Sequence, residues 1–159
     1  MPADPNARAC FYDWCTYNNM RFAGWHAWMR QVIHSVDADL PCHAKVMDTH
    51  FSLSGVTYGT NAEEFARLSD LNGNDCPCMY DHNSWSEFAD GMVGMCRYYD
   101  LQCSFRKAPV VNTENHIIVD RDLNPIPSEH IYASLWQGAI HRQGASTVWV
   151  WERTSDPSS

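Results

Sequence analysis

A cluster of residues that could carry chemistry follows an apolar run in APVVNTENHIIVDRD, residues 108–122. The run suits a buried strand, and it leads directly into Asn112, Glu114 and His116. A carboxylate fixed at a strand end can act as a nucleophile, a general base or a metal ligand. It could equally cap a turn or pair with Arg121 or Arg153, and position alone does not separate these roles.

Two tryptophans form a second candidate group, in the stretch STVWVWER at residues 146–153. Side chains alternate along a strand, so Trp149 and Trp151 share one face. An exposed indole offers a flat apolar platform that suits a sugar ring. One of the two is expected to fill the space between strands and helices, and both could do so.

Further polar residues are weaker candidates. His82 could contact a ligand, and Asp75 could shape the turn in GND. A metal-dependent hydrolase would draw on imidazoles and carboxylates, but their spacing matches no known ligand pattern. Cys76 and Cys78 form CxC without a second pair, so packed, reduced thiols are favoured. We therefore predict no metal and no cofactor. The side chains that a metal-dependent hydrolase would use as ligands are His43, Asp48, His50 and His82.

Helical and strand-like patterns alternate along the chain, which predicts an α/β fold with a parallel sheet. Amphipathic helices are expected over 18–41, 61–71, 84–105 and 128–144. In the last helix, Ile131, Leu135, Trp136 and Ile140 are expected to face inward. The residues of the first helix that recur at spacings of three and four, and so are expected to face the core, are Phe22, Trp25, Met29, Ile33 and Val36. The expected strands cover 42–48, 76–80, 108–112 and 146–153.

The predicted strands place the candidate residues together, because ligands of parallel α/β folds bind beyond the carboxyl ends of the strands. Polar and aromatic residues are concentrated at four such ends. They are residues 45–48, 80–83, 112–116 and 149–153.

Length and charge set broader limits. With 159 residues and 45% hydrophobic residues, the chain predicts one folded domain over 1–159, with a loop over 1–13 and a flexible tail over 154–159. A net charge of -8 argues against nucleic acid and anionic membrane as partners. The first residues do not resemble a signal peptide, so the chain as it stands is expected in the cytoplasm.

Three segments resemble the C-terminal half of the catalytic barrels of clan A glycoside hydrolases, most closely β-galactosidase-like enzymes of family 42 type. They are DLPCHAKVM, PVVNTENHIIVDRD and SLWQGAIHRQGASTVWVWER, and the similarity runs over residues 14–153. The resemblance implies strands five to eight of a (β/α)8 barrel that cleaves β-glycosides with retention. It also implies that Glu114 is the nucleophile and that Trp149 or Trp151 ends strand eight beside the sugar. Asn112, His116 and His82 are the accompanying substrate-binding candidates.

The same resemblance implies an incomplete site. In the clan, the acid/base Glu comes from an Asn-Glu pair after strand four, and no such pair occurs near the N-terminus of this sequence. Retaining hydrolysis needs both carboxyl groups, so weak or no activity is expected. A homodimer of two four-stranded halves could close an eight-stranded barrel. The alternative is a noncatalytic carbohydrate-binding or scaffold half-barrel.

Overall fold

Four parallel strands form one sheet in the computed structural model, in the order β1-β2-β3-β4. The structure describes residues 2–47, 57–80, 89–117 and 126–149, and the side chains of 89 and 90 are not described. The elements in chain order are α1 (Pro5–Val36), β1 (Val46–Met47), α2 (Ala62–Leu68), β2 (Asn72–Asp75), α3 (Ala89–Phe105), β3 (Val110–Asn115), α4 (Ser128–Ile140) and β4 (Gln143–Val148). The α/β half-barrel predicted from the sequence is confirmed.

The first helix begins much earlier than predicted. Residues 1–13 were expected to be a loop, but α1 starts at Pro5. The Asp4 carboxylate accepts a hydrogen bond from the Asn6 backbone N–H at 2.9 Å. Proline at the first position has the helical φ already and no N–H to leave unpaired. Pro5 therefore starts a helix here and does not mark a frayed segment.

The buried faces of the outer helices were also predicted wrongly. Small and polar residues face inward, namely Cys15, Asn19 and Ala23 on α1 and His130, Ser134 and Gly138 on α4. Small residues let a helix lie close to its neighbours; a Cβ on Gly138, for example, would lie 1.9 Å from Gln143 Oε1. The large apolar residues are left on the outer faces, among them Phe22, Trp25, Ile33, Val36, Leu135, Trp136 and Ile140.

The second strand lies just before the predicted segment. The sequence favours a strand over 76–80, whereas β2 is Asn72–Asp75, whose four residues are all buried. Asn, Gly and Asp are depleted in strands, so propensity gives no signal for β2. Side-chain hydrogen bonds compensate the burial: Asn74 Nδ2 donates to Gln102 Oε1 at 2.8 Å, and Gln102 Nε2 donates to the Gly73 carbonyl at 3.0 Å.

The last strand also begins earlier than predicted. Helix α4 ends at Ile140, and Arg142 turns the chain with a φ of 70°. Gly144, expected to end the helix, lies inside β4. Trp149 follows the strand directly, and residues 150–159 lie outside the described part of the chain.

The main core lies between α3 and the central strands. It contains Cys76, Cys78, Met95, Tyr99 and Val110, all fully buried. A smaller cluster of Ala23, Val46 and Phe65 joins α1 to β1 and α2. Although α1 is long, the described helices include none whose length and apolar character would let it cross a membrane.

An ion pair closes the amino end of the sheet, where the chain enters β1 and β2. Arg30 donates to both oxygens of Asp70, at 2.6 Å from Nη2 and 3.3 Å from Nε. The backbone N–H of Cys42 donates to the same carboxylate at 2.9 Å. This bidentate pair ties α1 to the segments before two strands.

Candidate functional site

The candidate carboxylate, Glu114, lies at the carboxyl end of β3. The register between β3 and β4 shifts there: Asn112 is opposite Ser146, and Asn115 is opposite Val148. Three steps on β3 therefore match two on β4, so β3 holds one extra residue. Such a bulge changes where side chains point and is common beside active sites. The backbone N–H of Glu114 donates to Asn112 Oδ1 at 3.2 Å, which holds the bulge locally.

Lys45, just before β1, joins two neighbouring strand ends. Its ammonium donates to Asp75 Oδ2 at 3.1 Å and to Glu114 Oε2. The sequence pattern alone indicates no role for Lys45. A signal was present, because Lys45 lies within the predicted strand 42–48, whose carboxyl end was expected at the mouth. Only the sheet order places β1 beside β2 and brings Lys45 within reach of Glu114.

His116 lies on the other side of Glu114. Its Nε2 is 3.3 Å from Glu114 Oε1 and 3.6 Å from Asp75 Oδ1. The carbonyl of His116 accepts a hydrogen bond from the Cys78 backbone N–H at 2.9 Å, which fixes the chain beyond the strand. His116 thus joins Glu114, as the sequence predicted, and also reaches Asp75. Asp75 is not a turn residue; it ends β2 and is buried.

Trp149 borders this cluster. Its backbone N–H donates to the Asn115 carbonyl at 3.0 Å, and its side chain remains 44% exposed. The rings of Trp149 and His116 have centroids 6.0 Å apart. Trp149 is therefore positioned by the sheet with an indole surface open to a ligand.

Asn112 lies on the helix side of the sheet and is fully buried. Its amide donates to the Cys76 carbonyl at 2.8 Å and to the Tyr99 hydroxyl at 2.9 Å. Its side chain is therefore behind Glu114 and supports the strand, while its predicted contact with substrate stays a prediction.

The remaining predicted residues are not brought together by the described structure. Trp151 and His82 lie outside the described residues, as do Asp48 and His50. The ring of His43 lies against Gly73, where an added Cβ would be 1.9 Å from Nδ1.

The charges of the cluster affect one another. The hydrogen bond from Lys45 lowers the pKa of Glu114 below its ordinary value, and His116 adds to this against the opposing effect of burial. Partial burial works to lower the pKa of Lys45, but its bonds to Glu114 and Asp75 outweigh this and raise it. Glu114 is thus held as a carboxylate and Lys45 as an ammonium at neutral pH.

A bound metal is not required to balance this cluster. Donor atoms of Asp75, Glu114 and His116 lie within 4.8 Å of one another. The ammonium of Lys45 already lies between the two carboxylates, so we do not assign these residues as metal ligands. All seven cysteines are free thiols; Cys76 and Cys78 lie in the core, and burial raises the pKa of Cys78 to about 12.

A separate groove of about 640 Å³ lies between α1 and residues 57–59. It has aromatic walls with a few polar groups, and it shares no residue with the strand-end cluster. Its lining includes Trp14, Asn18, Arg21, Phe22, Trp25 and Tyr58.

The fold has a solved counterpart, the crystal structure of an apo exo-carrageenase of glycoside hydrolase family 42 from Bacteroides ovatus. The match has a TM-score of 0.77 and 25% sequence identity, and it covers 91% of this chain. This chain is similar to one part of a family 42 glycoside hydrolase. The family 42-like half-barrel spans only 21% of the length of that structure. No protein-family model and no curated protein sequence matches the chain.

The resemblance predicted from the sequence is thereby confirmed at the level of the fold. The family 42-like half-barrel carries Asp75, Glu114 and His116 at the carboxyl ends of β2 and β3, and the ammonium of Lys45 reaches them from just before β1. That edge is where barrels of this architecture bind and convert substrates.

Proposed function

We propose that the carboxyl edge of the sheet is the nucleophile side of a retaining β-glycosidase site. Glu114 is the nucleophile, His116 and Trp149 contact the sugar, and Trp151 and His82 remain candidates from the sequence. The observation that supports this most is the location of Glu114 at a bulged strand end, ionised between Lys45 and His116 and beside an exposed indole.

The chemistry begins with attack of a Glu114 oxygen on the anomeric carbon. A carbon–oxygen bond forms to the protein, and the leaving group departs with the electrons of the glycosidic bond. An ordinary sugar leaving group also needs a proton from a second carboxyl group. Asp75 does not fill that role well, because it is buried and its two oxygens face Lys45 and His116. The half-barrel is therefore expected to act weakly or not at all on unactivated glycosides.

An activated inhibitor tests the nucleophile without needing the acid. Dinitrophenyl 2-deoxy-2-fluoro-glycosides of gluco and galacto configuration carry a leaving group that departs unprotonated. We expect one of them to add a single fluoro-glycosyl group to Glu114, detected by peptide mass spectrometry. A glycosyl group on another residue, or none with either sugar, contradicts the assignment.

Noncatalytic carbohydrate binding is the second candidate. The contact with Lys45 favours it, since a carboxylate neutralised by an ammonium is a weaker nucleophile but still accepts hydrogen bonds from hydroxyls. Under this function Glu114→Gln keeps sugar binding and the wild type shows no covalent labelling.

We further propose that two copies close a barrel. The end strands β1 and β4 each have a single neighbour in the described sheet. The flanking helices expose rows of apolar side chains, Tyr17, Met20, Trp28 and Val32 on α1 and Tyr132, Leu135, Trp136 and Ile140 on α4. Open edges and exposed apolar rows favour association, and two four-stranded halves supply eight strands.

Sedimentation velocity at micromolar concentration tests this assembly. A dimer is expected, and Trp136→Glu on α4 should shift it toward the monomer. A wild-type chain that sediments as a folded monomer contradicts the proposal.

A further inference from the structure

We propose that Asp75 is a positioning residue, which holds a partner group against each oxygen of the Glu114 carboxylate. The use of this arrangement in glycosyl transfer rests on the proposed function, but the arrangement itself does not.

The four side chains form a closed ring of polar contacts. Asp75 Oδ2 accepts from Lys45 Nζ at 3.1 Å, and the same ammonium donates to Glu114 Oε2. On the other side, His116 Nε2 lies 3.3 Å from Glu114 Oε1 and 3.6 Å from Asp75 Oδ1. Each carboxylate oxygen meets one partner, so the plane of the Glu114 carboxylate is fixed from both sides.

Burial makes Asp75 the fixed member of the ring. Its side chain is 8% exposed, compared with 24% for Glu114 and 36% for Lys45. It belongs to an interior strand that pairs on both sides, with β1 and β3. A buried carboxylate without a partner is strongly unfavourable, so Asp75 holds Lys45 in place.

This arrangement solves a problem that a lysine–nucleophile pair alone would create. When Glu114 bonds to the anomeric carbon, it becomes a neutral ester and no longer balances the ammonium. Asp75 still balances it, so Lys45 stays at the site in both the free carboxylate and the ester. The Lys45 ammonium is thus balanced by Glu114 and Asp75 in the resting state and by Asp75 in the covalent state.

Titration of Glu114 by ¹³C NMR tests the ring without any activity. The chain has six glutamates, and the signal lost in Glu114→Gln identifies the relevant carboxyl. Within the described residues, the titratable groups that act on it are Lys45 and His116, with Asp75 behind both. Lys45→Met removes a cation and should move the Glu114 midpoint to higher pH. Asp75→Asn leaves Lys45 and His116 without the carboxylate that holds them beside Glu114, so it should also move the midpoint to higher pH, whereas the loss of a nearby negative charge alone would move it to lower pH.

A rise in both variants distinguishes the positioning role from the mere proximity of a negative charge, for which Asp75→Asn would move the midpoint to lower pH. Lys45→Arg should keep the low midpoint. The exposed residues Lys107 and Asp39 provide matched controls, and Lys107→Met and Asp39→Asn should leave the midpoint unchanged. If Asp75→Asn fails to fold, Asp75→Glu, which keeps the charge but displaces the carboxylate from Lys45 and His116, provides the same test and should also raise the midpoint.

Labelling by the fluoro-glycosides provides the second readout. Asp75→Asn should slow it by roughly tenfold to a hundredfold, since the groups that fix the Glu114 carboxylate are no longer held and small displacements of a reacting group have effects of that size. A Glu114 midpoint in Asp75→Asn that equals the wild-type value or lies at lower pH overturns the positioning role. Raised midpoints with no labelling of the wild type overturn the proposed nucleophile and leave the positioning role standing.

Discussion

The two ends of the sheet both pair cations with carboxylates, but in different ways. At the amino end, one guanidinium meets one carboxylate through two bonds, and the Cys42 N–H adds a third. At the carboxyl end, one ammonium is shared by Asp75 and Glu114, and an exposed indole lies alongside. At the amino end the charges of Arg30 and Asp70 balance. At the carboxyl end two carboxylates share one ammonium at an accessible edge of the sheet.

The difference teaches that an ion pair indicates function only through its place and its surroundings. The fork of Arg30 matches the carboxylate of Asp70 and ties α1 to the sheet. Lysine is a point charge on a flexible chain, so it can serve two acceptors at once. The carboxyl end is also where β3 carries its bulge and where ligands of parallel α/β folds bind.

The largest expected effect comes from Glu114→Gln at the carboxyl end. The amide cannot act as a nucleophile, so labelling by a fluoro-glycoside should fall by at least about a thousandfold. The rate is followed by intact-protein mass spectrometry. Glu129→Gln, an exposed glutamate on α4, is the matched control and should label at the wild-type rate. If Glu114→Gln is labelled at the wild-type rate, Glu114 is not the nucleophile. The carboxyl end of the sheet would then have no functional role that the amino end lacks.

At the amino end, Asp70→Ala should affect stability and not chemistry. It leaves Arg30 and the Cys42 N–H without their acceptor, at a cost of about 1–3 kcal/mol in the free energy of unfolding. Urea denaturation measures this cost, and Asp39→Ala, at an exposed position, is expected to cost much less. The folded variant should keep the wild-type labelling rate. A slowed rate in folded Asp70→Ala would mean that the two ends are coupled.

Trp149→Ala should weaken sugar binding with little loss of stability. The indole is 44% exposed, so its removal leaves no large core cavity. Loss of stacking should reduce affinity about tenfold, equal to about 1.4 kcal/mol. Calorimetric titration with a sugar that labels the wild type, done in Glu114→Gln to prevent reaction, measures it. Trp14→Ala, on the outer face of α1, should leave affinity unchanged; equal losses in both variants would show no special role for the carboxyl end.

The smallest expected effect is an acid-dependent loss of stability shared by both ends. Hydrogen bonds from Arg30, then from the Cys42 N–H, lower the pKa of Asp70 from 3.8, and Lys45 lowers that of Glu114 from 4.5. A lowered folded-state pKa stabilises the protein above the unfolded pKa, and this contribution is lost as pH falls through the folded value.

Unfolding free energies measured between pH 6 and pH 3 should therefore decline, most steeply below these ordinary values. The decline should be shallower in Asp70→Asn and in Glu114→Gln, since each lacks one of the groups that must be protonated. A variant as acid-sensitive as the wild type would show that its carboxylate contributes nothing to the effect.

The helices illustrate how far the sequence reaches. Periodicity located α3 and α4, and the helix predicted from residue 61 is confirmed; the structure shows Asn61 Oδ1 accepting from the N–H groups of Glu63 and Glu64. It did not identify the buried faces of α1 and α4. Apolar residues cover most sides of these helices, and the choice of inward face depends on close approach by Ala23 or Gly138.

The candidate site also contains residues that the sequence predicted and residues that only the structure shows. The sequence predicted Glu114 and Trp149 at strand ends, because an apolar run ending in polar residues is a local pattern. It gave Lys45 no role and Asp75 a minor one. Their importance depends on the sheet order. It brings Asp75 and Glu114, which follow Lys45 by 30 and 69 positions in the chain, against the Lys45 ammonium.

The sequence by itself determined the class of fold, the number of strands and the carboxylate at the end of β3, because periodicity and strand ends are local properties. Only the tertiary structure decided which polar groups share a charge. It put β2 in an unfavourable NGND segment, stabilised by Gln102, and it closed the contacts of Asp75 with Lys45 and His116. Such pairings depend on distances between strands that no local pattern encodes.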